Sequence, residues 1–146
     1  MGKVVAIGIS EKSGNEIINV NKVDALMGKG LAEDRHCKEN NDQRCQITMI
    51  EIEKINQYNK LNKTSIPAIK FRRNIVTENI NLNNLIGKEF FIGKVKIKAH
   101  DQCKPCKNLQ DDLKQNNIVK EFLNSGGLRC EILSNGQIII GDLIKI

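Results

Sequence analysis

Residues 90–99 carry the pattern that most constrains the fold of this chain. A turn at Gly93 is followed by strict alternation of lysine and apolar side chains over residues 94–99. Because successive side chains of a strand point to opposite faces, this alternation turns an apolar face inward and leaves a lysine row in solvent. The sequence therefore predicts a β-hairpin at residues 90–99.

Other short segments have the apolar or alternating character of strands. They lie at residues 3–10, 16–23, 45–49, 71–77, 128–133, 137–140 and 143–146. The two segments that flank Ser134-Asn135-Gly136 are predicted to form a second hairpin, since an Asn-Gly pair favours a tight turn.

Helical spacing of apolar residues begins at Ile52, and this helix must end by Pro67, because the residue before a proline avoids the α conformation. Further helical segments are predicted at 82–86, from Leu109, and at 117–123 with Asn117 as the N-cap. Short strands with a few helices set apart predict an α+β fold, mainly β with peripheral helices around a β-barrel-like core. The length predicts one domain over residues 1–146.

The composition narrows the classes of partner. The net charge is +6 and the pI is near 9.1, which favours anionic ligands. Aromatic residues are only 3% of the chain, too few to build stacking platforms for single-stranded nucleic acid, so nucleic acid is an unlikely partner.

The same composition bears on location. No apolar run reaches the roughly 18 residues of a membrane span, and the first ten residues lack the features of a signal peptide. We therefore expect no membrane association and a cytoplasmic protein. Five cysteines are an odd number, and in the cytoplasm reduced thiols are the expected state.

Cys103-Lys104-Pro105-Cys106 is a C-x-x-C sequence next to three lysines. One reading is a dithiol redox pair, which usually starts a helix in a βαβ unit, and the sequence shows no such unit. A second is half of a zinc site, with His100 as an additional ligand. A third is a single reactive thiolate at Cys106, and a fourth is two small buried apolar residues.

Two other polar clusters are candidates. Asp34-Arg35-His36-Cys37 follows two glycines, and its arginine suits phosphate or carboxylate, although a surface ion pair beside an incidental histidine is equally compatible. Arg72 and Arg73 precede a strand, so at most one of them is expected to enter a pocket and the other to face solvent. Cys45 and Cys130 alternate with polar residues on strands and are expected in the core.

Five segments, in the same order, resemble those of a known family. They are Gly30 with Asp34-Arg35-His36, residues 43–47, residues 73–82, Pro105-Cys106, and residues 128–133 followed by Gly136 and Gly141-Asp142. Together they resemble the MOSC domain, named for the C-terminal domain of molybdenum cofactor sulfurases. Asn79 stands where many members of that family have glycine.

The resemblance implies a stand-alone MOSC domain with a β-barrel of the MOSC or pyruvate-kinase-barrel-like type. It implies binding of molybdenum cofactor (molybdopterin), with Cys106 as the catalytic persulfide carrier or thiolate ligand and Cys103 beside it as a second metal-binding thiol. Cofactor-facing positions would be Asp34, Arg35, His36, Arg73 and Asn74. Pyridoxal phosphate, bound by a separate domain of the larger sulfurases, is not expected.

The resemblance leaves the activity open between a sulfur transferase, a non-catalytic carrier of soft metal or molybdopterin, and a component of a reductase for N-hydroxylated compounds. It implies as partners the enzymes that make or accept molybdenum cofactor, and a cysteine desulfurase as sulfur donor.

Overall fold

The computed structural model describes residues 2–11, 17–105 and 107–146. The strands in these ranges are β1 (Gly2–Ile9), β2 (Ile18–Val20), β3 (Lys22–Leu26), β4 (Gly30–Leu31), β5 (Ile47–Glu51), β6 (Ile75–Glu78), β7 (Glu89–Ile92), β8 (Val95–Gln102), β9 (Leu128–Ile132), β10 (Gly136–Ile139) and β11 (Leu143–Lys145). The helices are α1 (Ile52–Asn62), α2 (Lys107–Asp112) and α3 (Ile118–Glu121), with short 3₁₀ helices at Ala68–Phe71 and Leu82–Leu85. The polar residues 11–15 predict a turn between the first two strand segments, but all of them except Glu11 lie outside the described residues.

Seven of the described strands close into a barrel. Their order is β11-β7-β8-β9-β5-β6-β1, and β1 pairs back with β11 to complete the ring. β2 extends the sheet beside β1, while β10, β3 and β4 form a separate small sheet. The protein is therefore mainly β with a closed barrel and peripheral helices, which confirms the predicted fold class.

The barrel interior is filled by the apolar side of each strand. β7 and β8 form the predicted hairpin, with Phe90 opposite Ile97. Val95, Ile97 and Ala99 are fully buried, whereas the lysines between them are partly exposed. The alternation thus fixes which face of β8 packs into the barrel, because a shift of one residue would bury the lysines.

The helices cover a second apolar cluster outside the barrel. Ile55 and Tyr58 of α1 pack with Phe71, Val76 and Phe122. α1 joins β5 to β6, and these two strands are parallel neighbours, so the chain does contain a βαβ unit, contrary to the sequence-based expectation. Within the described ranges, no helix combines the length and apolarity needed to cross a lipid bilayer.

The hairpin predicted across residues 134–136 is wrong. β9 pairs with β8 and β5 in the barrel, whereas β10 pairs with β3 in the small sheet. The Ser134 hydroxyl accepts the N–H of Lys96 and the Asn135 side chain accepts the N–H of Met27. These long-range hydrogen bonds direct the chain from one sheet to the other, which overrides the local preference for a tight turn.

Asn117 and Asn79 have structural roles that their positions in the sequence do not predict. Asn117 precedes α3 but makes no side-chain cap; its amide oxygen instead accepts the Tyr58 hydroxyl. Asn79 has a φ of +60°, in the left-handed region where asparagine is the most tolerated residue after glycine. Asn79 can therefore make the turn at which many MOSC sequences have glycine.

Candidate functional site

A cleft of about 540 Å³ is bordered by segments that are far apart in the sequence. Its described lining includes five arginines, Arg35, Arg44, Arg72, Arg73 and Arg129. The lining carboxylates are Asp34 and Asp112, which leaves a net charge of +3 with His36 neutral. The cleft is therefore suited to an anion, and its volume lies in the range of small-molecule sites.

The structure brings the sequence-predicted site residues together. Asp34, Arg35, His36, Arg73, Asn74 and Cys103 all line this cleft. Cys106 lies outside the described residues. Cys103 and Leu109, three residues before and three after it, both border the cleft. Whether these residues bind a cofactor is not decided by their placement and stays a prediction.

Asp34 anchors its loop to the end of β1. Its Oδ1 accepts the N–H of Ser10 at 2.9 Å, and the N–H of Arg35 donates back to the Ser10 carbonyl at 2.6 Å. Its Oδ2 accepts the N–H of His36 at 3.3 Å and lies 3.4 Å from the imidazole Nδ1. Asp34 is buried, whereas His36 is half exposed, so the carboxylate fixes the loop and the imidazole faces the cleft.

These contacts make stability depend on pH. Burial alone would raise the pKa of Asp34, but the hydrogen bonds from His36 and Ser10 outweigh it, and the pKa lies below the ordinary 3.8. A lowered pKa means that the unfolded state binds the proton first, so the contribution of Asp34 is present above about pH 4 and is lost as the pH falls further. We expect the free energy of unfolding to fall less steeply below about pH 4 in Asp34→Asn than in the wild type.

Urea titrations at several acidic pH values would measure this difference. Some pH dependence will remain in the variant, since hydrogen bonds from Arg44 and Arg129 also lower the pKa of Asp101. Identical slopes for the two proteins would contradict the assignment.

Asn74 is committed to holding strands together. Its side-chain oxygen accepts the N–H of Thr48 at 3.0 Å and the Thr48 hydroxyl at 3.1 Å, and its amide nitrogen donates to the Gly8 carbonyl at 3.0 Å. It thereby ties β5 and the end of β1 to the start of β6. Its side chain supports the wall of the cleft.

Arg73 likewise makes its hydrogen bonds within the protein. Its Nε donates to the Gly126 carbonyl at 2.9 Å, and its Nη1 and Nη2 donate to the carbonyls of Phe71 and Cys103 at 3.2 and 3.3 Å. The residue is only 9% exposed. Arg73 therefore fastens the Cys103 segment to the 3₁₀ helix and to the Gly126 turn.

The expectation that one of the two adjacent arginines faces away is wrong, because both Arg72 and Arg73 line the cleft. The argument assumed an extended chain. Arg72 has a φ of +63° and ends the 3₁₀ helix, so the alternation of strand side chains does not apply to it.

Sequence reasoning did not assign Arg44, Asp101 and Arg129 to the site. The Oδ2 of Asp101 accepts Arg129 Nη2 at 3.0 Å and also accepts Arg44 Nη2. Asp101 and Arg129 are direct partners on β8 and β9, whereas Arg44 comes from the loop before β5. The available signal was that both arginines immediately precede a cysteine, but only the strand register reveals that they share one carboxylate.

The cysteines have distinct surroundings. Cys130 is fully buried, as predicted, and burial raises the pKa of its thiol strongly. Cys45 is exposed and lines the cleft, so its predicted place in the core is wrong. The reason is local: the Cys45 N–H closes a turn on the Asp42 carbonyl, and β5 begins only at Ile47.

No group of three or more histidine, cysteine or acidic side chains suited to a metal ion occurs among the described residues. His100, the additional ligand considered for a zinc site, places its Nε2 2.9 Å from Glu131 Oε1. That imidazole is thus already engaged by a carboxylate.

Comparisons with known proteins identify a matching family and similar solved structures. The sequence pattern of the MOSC domain matches residues 33–145. Similar solved structures include YuaD from Bacillus subtilis (TM-score 0.83, 19% identity, covering 99% of this chain and 94% of that one). YiiM from Geobacillus stearothermophilus has a TM-score of 0.78 and 13% identity, covering 99% of this chain and 74% of that one. YiiM from Escherichia coli has a TM-score of 0.71 and 18% identity, covering 98% of this chain and 68% of that one.

At these identities the structures establish the fold alone. The comparison with curated protein sequences gives no significant match. The match to the domain pattern extends over most of the chain and agrees with the closed barrel and with the order of the segments described above. The chain belongs to the MOSC domain family.

Proposed function

We propose that this MOSC-domain protein binds a pterin-type molybdenum cofactor in the arginine-lined cleft and that Cys106 carries the sulfur delivered there. The observation that supports this most directly is the cleft itself, which has a net charge of +3 and is lined by Cys103 of the C-x-x-C sequence. Thiols beside an anion-binding surface are what sulfur transfer to an anionic cofactor requires.

The residues present fit such a cofactor. A molybdopterin carries a phosphate and sulfur donors, and the arginine-rich lining offers the planar donor groups that recognise phosphate. Thiolates are soft ligands suited to metals that also bind sulfur. When bound, the cofactor would supply the molybdenum centre that accepts sulfur; the protein supplies position, charge and the thiol.

The sulfur step uses Cys106 as a nucleophile. Its thiolate attacks the outer sulfur of a donor persulfide, the donor's S–S bond breaks, and the donor leaves as a thiolate. Cys106 becomes the persulfide, and no external oxidant or reductant is consumed. A cysteine desulfurase-type enzyme is the donor we propose, since it forms a persulfide of this kind.

The surrounding residues have separate tasks in this proposal. His36, half exposed and oriented by Asp34, can take or return the proton of the incoming thiol or persulfide. Arg73 holds the segment that leads to Cys106, through the Cys103 carbonyl. The same cysteine can instead serve as a thiolate ligand of molybdenum, and the two roles differ in the mass of the purified protein.

The test is the intact mass of protein loaded by a persulfide donor and kept free of reductant. The wild type is expected to gain about 32 Da, one sulfur atom, and Cys106→Ser to gain none. Cys45→Ser is the matched control, since Cys45 lines the same cleft, and it should gain the sulfur as the wild type does. Molybdenum analysis after exposure to the cofactor measures binding.

A Cys106→Ser protein that retains both the added sulfur and full cofactor binding would overturn the proposal. Loss of cofactor binding in Cys106→Ser, without any added mass on the wild type, would identify the thiolate-ligand role.

A further inference from the structure

Two arginines of the cleft differ from Arg73 in how they use their donors. Arg73 donates hydrogen bonds from Nε, Nη1 and Nη2 to three backbone carbonyls. Arg44 and Arg129 each donate through Nη2 to one shared carboxylate oxygen of Asp101. A guanidinium has five N–H donors, so the latter two retain donors for a ligand.

The ion-pair cluster of Arg44, Asp101 and Arg129 also contains two buried polar atoms without a hydrogen-bond partner in the described part of the chain. They are Arg129 Nε and Asp101 Oδ1. A buried donor without an acceptor is costly and calls for a missing partner. Both atoms are enclosed, and Asp101 Oδ1 is itself an acceptor, so neither atom contacts an anion in the cleft. A ligand meets the exposed parts of the Arg44 and Arg129 side chains.

Charge points the same way. One carboxylate faces two guanidinium groups, so the cluster has a net charge of +1. The other charged lining residues are Arg35, Arg72 and Arg73 against Asp34 and Asp112, which add a further +1. Asp101 fixes the two arginines by a common atom, and neither is deeply buried: their side chains are 51% and 37% exposed. They are thus held in place beforehand yet accessible from the cleft.

We propose that Arg44 and Arg129 form a binding subsite for the dianionic phosphate of a phosphate monoester. A terminal phosphate has three oxygens that can accept from two guanidinium groups at once. Its two negative charges match the cationic cleft better than a single carboxylate or sulfate ester does. This deepens the proposed function and rests on it in taking the cleft as the ligand site. It assigns phosphate recognition to Arg44 and Arg129 and not to Arg73, whose Nε, Nη1 and Nη2 donate to backbone carbonyls.

The test uses phenyl phosphate as the probe, at about pH 8, where the second proton of a phosphate monoester is lost. Calorimetric titration at fixed ionic strength is expected to show binding to the wild type. Arg44→Gln and Arg129→Gln should each weaken it by about tenfold or more, since each removes charge-assisted hydrogen bonds. Phenyl sulfate, a monoanion, should bind more weakly than phenyl phosphate.

Lys94→Gln is the matched control, because it removes the same charge from an exposed turn between β7 and β8 outside the cleft lining. It should bind phenyl phosphate as the wild type does. The guanidinium resonances of Arg129 should shift on titration of the wild type. Arg129→Lys keeps the charge without the planar fork and provides a second variant should Arg129→Gln fold poorly.

Equal affinity of the wild type, Arg44→Gln and Arg129→Gln for phenyl phosphate, or no binding at all, would overturn the subsite. The two proposals fail separately. If phenyl phosphate binds through the two arginines but molybdenum cofactor does not bind, the proposed function fails and the subsite stands. If the cofactor binds both arginine variants as tightly as the wild type, the subsite fails and the proposed function stands.

Discussion

Gly127→Ala is expected to lower the free energy of unfolding by about 3 kcal/mol or more, a large part of the roughly 5–15 kcal/mol that stabilises a domain. Gly127 has a φ of +101°, a conformation that side chains rarely adopt. A Cβ atom there would overlap the carbonyl oxygen of Met49, a backbone atom of β5 that cannot move away independently. Both effects act at the point where the chain enters β9.

Gly28→Ala is the matched control for this substitution. Gly28 also has a positive φ, +75°, but an added Cβ would meet no heavy atom within 4 Å. Only the backbone strain of about 1–2 kcal/mol is then expected. Urea denaturation of both variants separates strain from overlap, and equal stability of the two would contradict the close approach of Gly127 to Met49.

Arg73→Gln is expected to lower the free energy of unfolding by about 3 kcal/mol, because buried carbonyl acceptors lose charged donors that the shorter amide cannot replace. The affected carbonyls belong to Phe71, Cys103 and Gly126. The substitution should also loosen the Cys103 segment, whose N–H donates to the Gly127 carbonyl at 2.8 Å. Faster hydrogen exchange at the Cys103 amide would report this loosening.

Arg35→Gln provides the comparison, since it removes the same charge from an exposed position of the same cleft. Its effect on stability should stay within about 0.5 kcal/mol, as for most surface substitutions. If Arg73→Gln were as mild as Arg35→Gln, Arg73 would not fasten the Cys103 segment, and its guanidinium would be available to a ligand.

The sequence predicts most of the barrel because the barrel depends on local alternation. The pattern of residues 94–99 is sufficient to place Val95, Ile97 and Ala99 inside, and the hairpin follows from it. The Ser134–Gly136 segment shows the limit of this reasoning. Its turn preference is real, but hydrogen bonds to Lys96 and Met27, far away in the sequence, decide the path of the chain.

The residues of the candidate site can be predicted from the sequence only in part. The chemistry of Asp34, Arg35, His36 and Cys103 is visible in the sequence, and the structure brings them to one cleft. The use that each arginine makes of its donors is not visible. Arg73 is occupied by carbonyls from three segments, whereas Arg44 shares a carboxylate with Arg129, and both arrangements exist only after the strands have paired.

The pairing of β1 with β11 has a consequence for folding during synthesis. β1 meets the last strand through Gly2 opposite Ile144 and Lys3 opposite Leu143. While a ribosome makes the chain, that edge of β1 stays unpaired until β11 has been synthesised. An open edge of this kind can pair with other nascent chains, so the synthesis and pairing of β11 remove this route to aggregation.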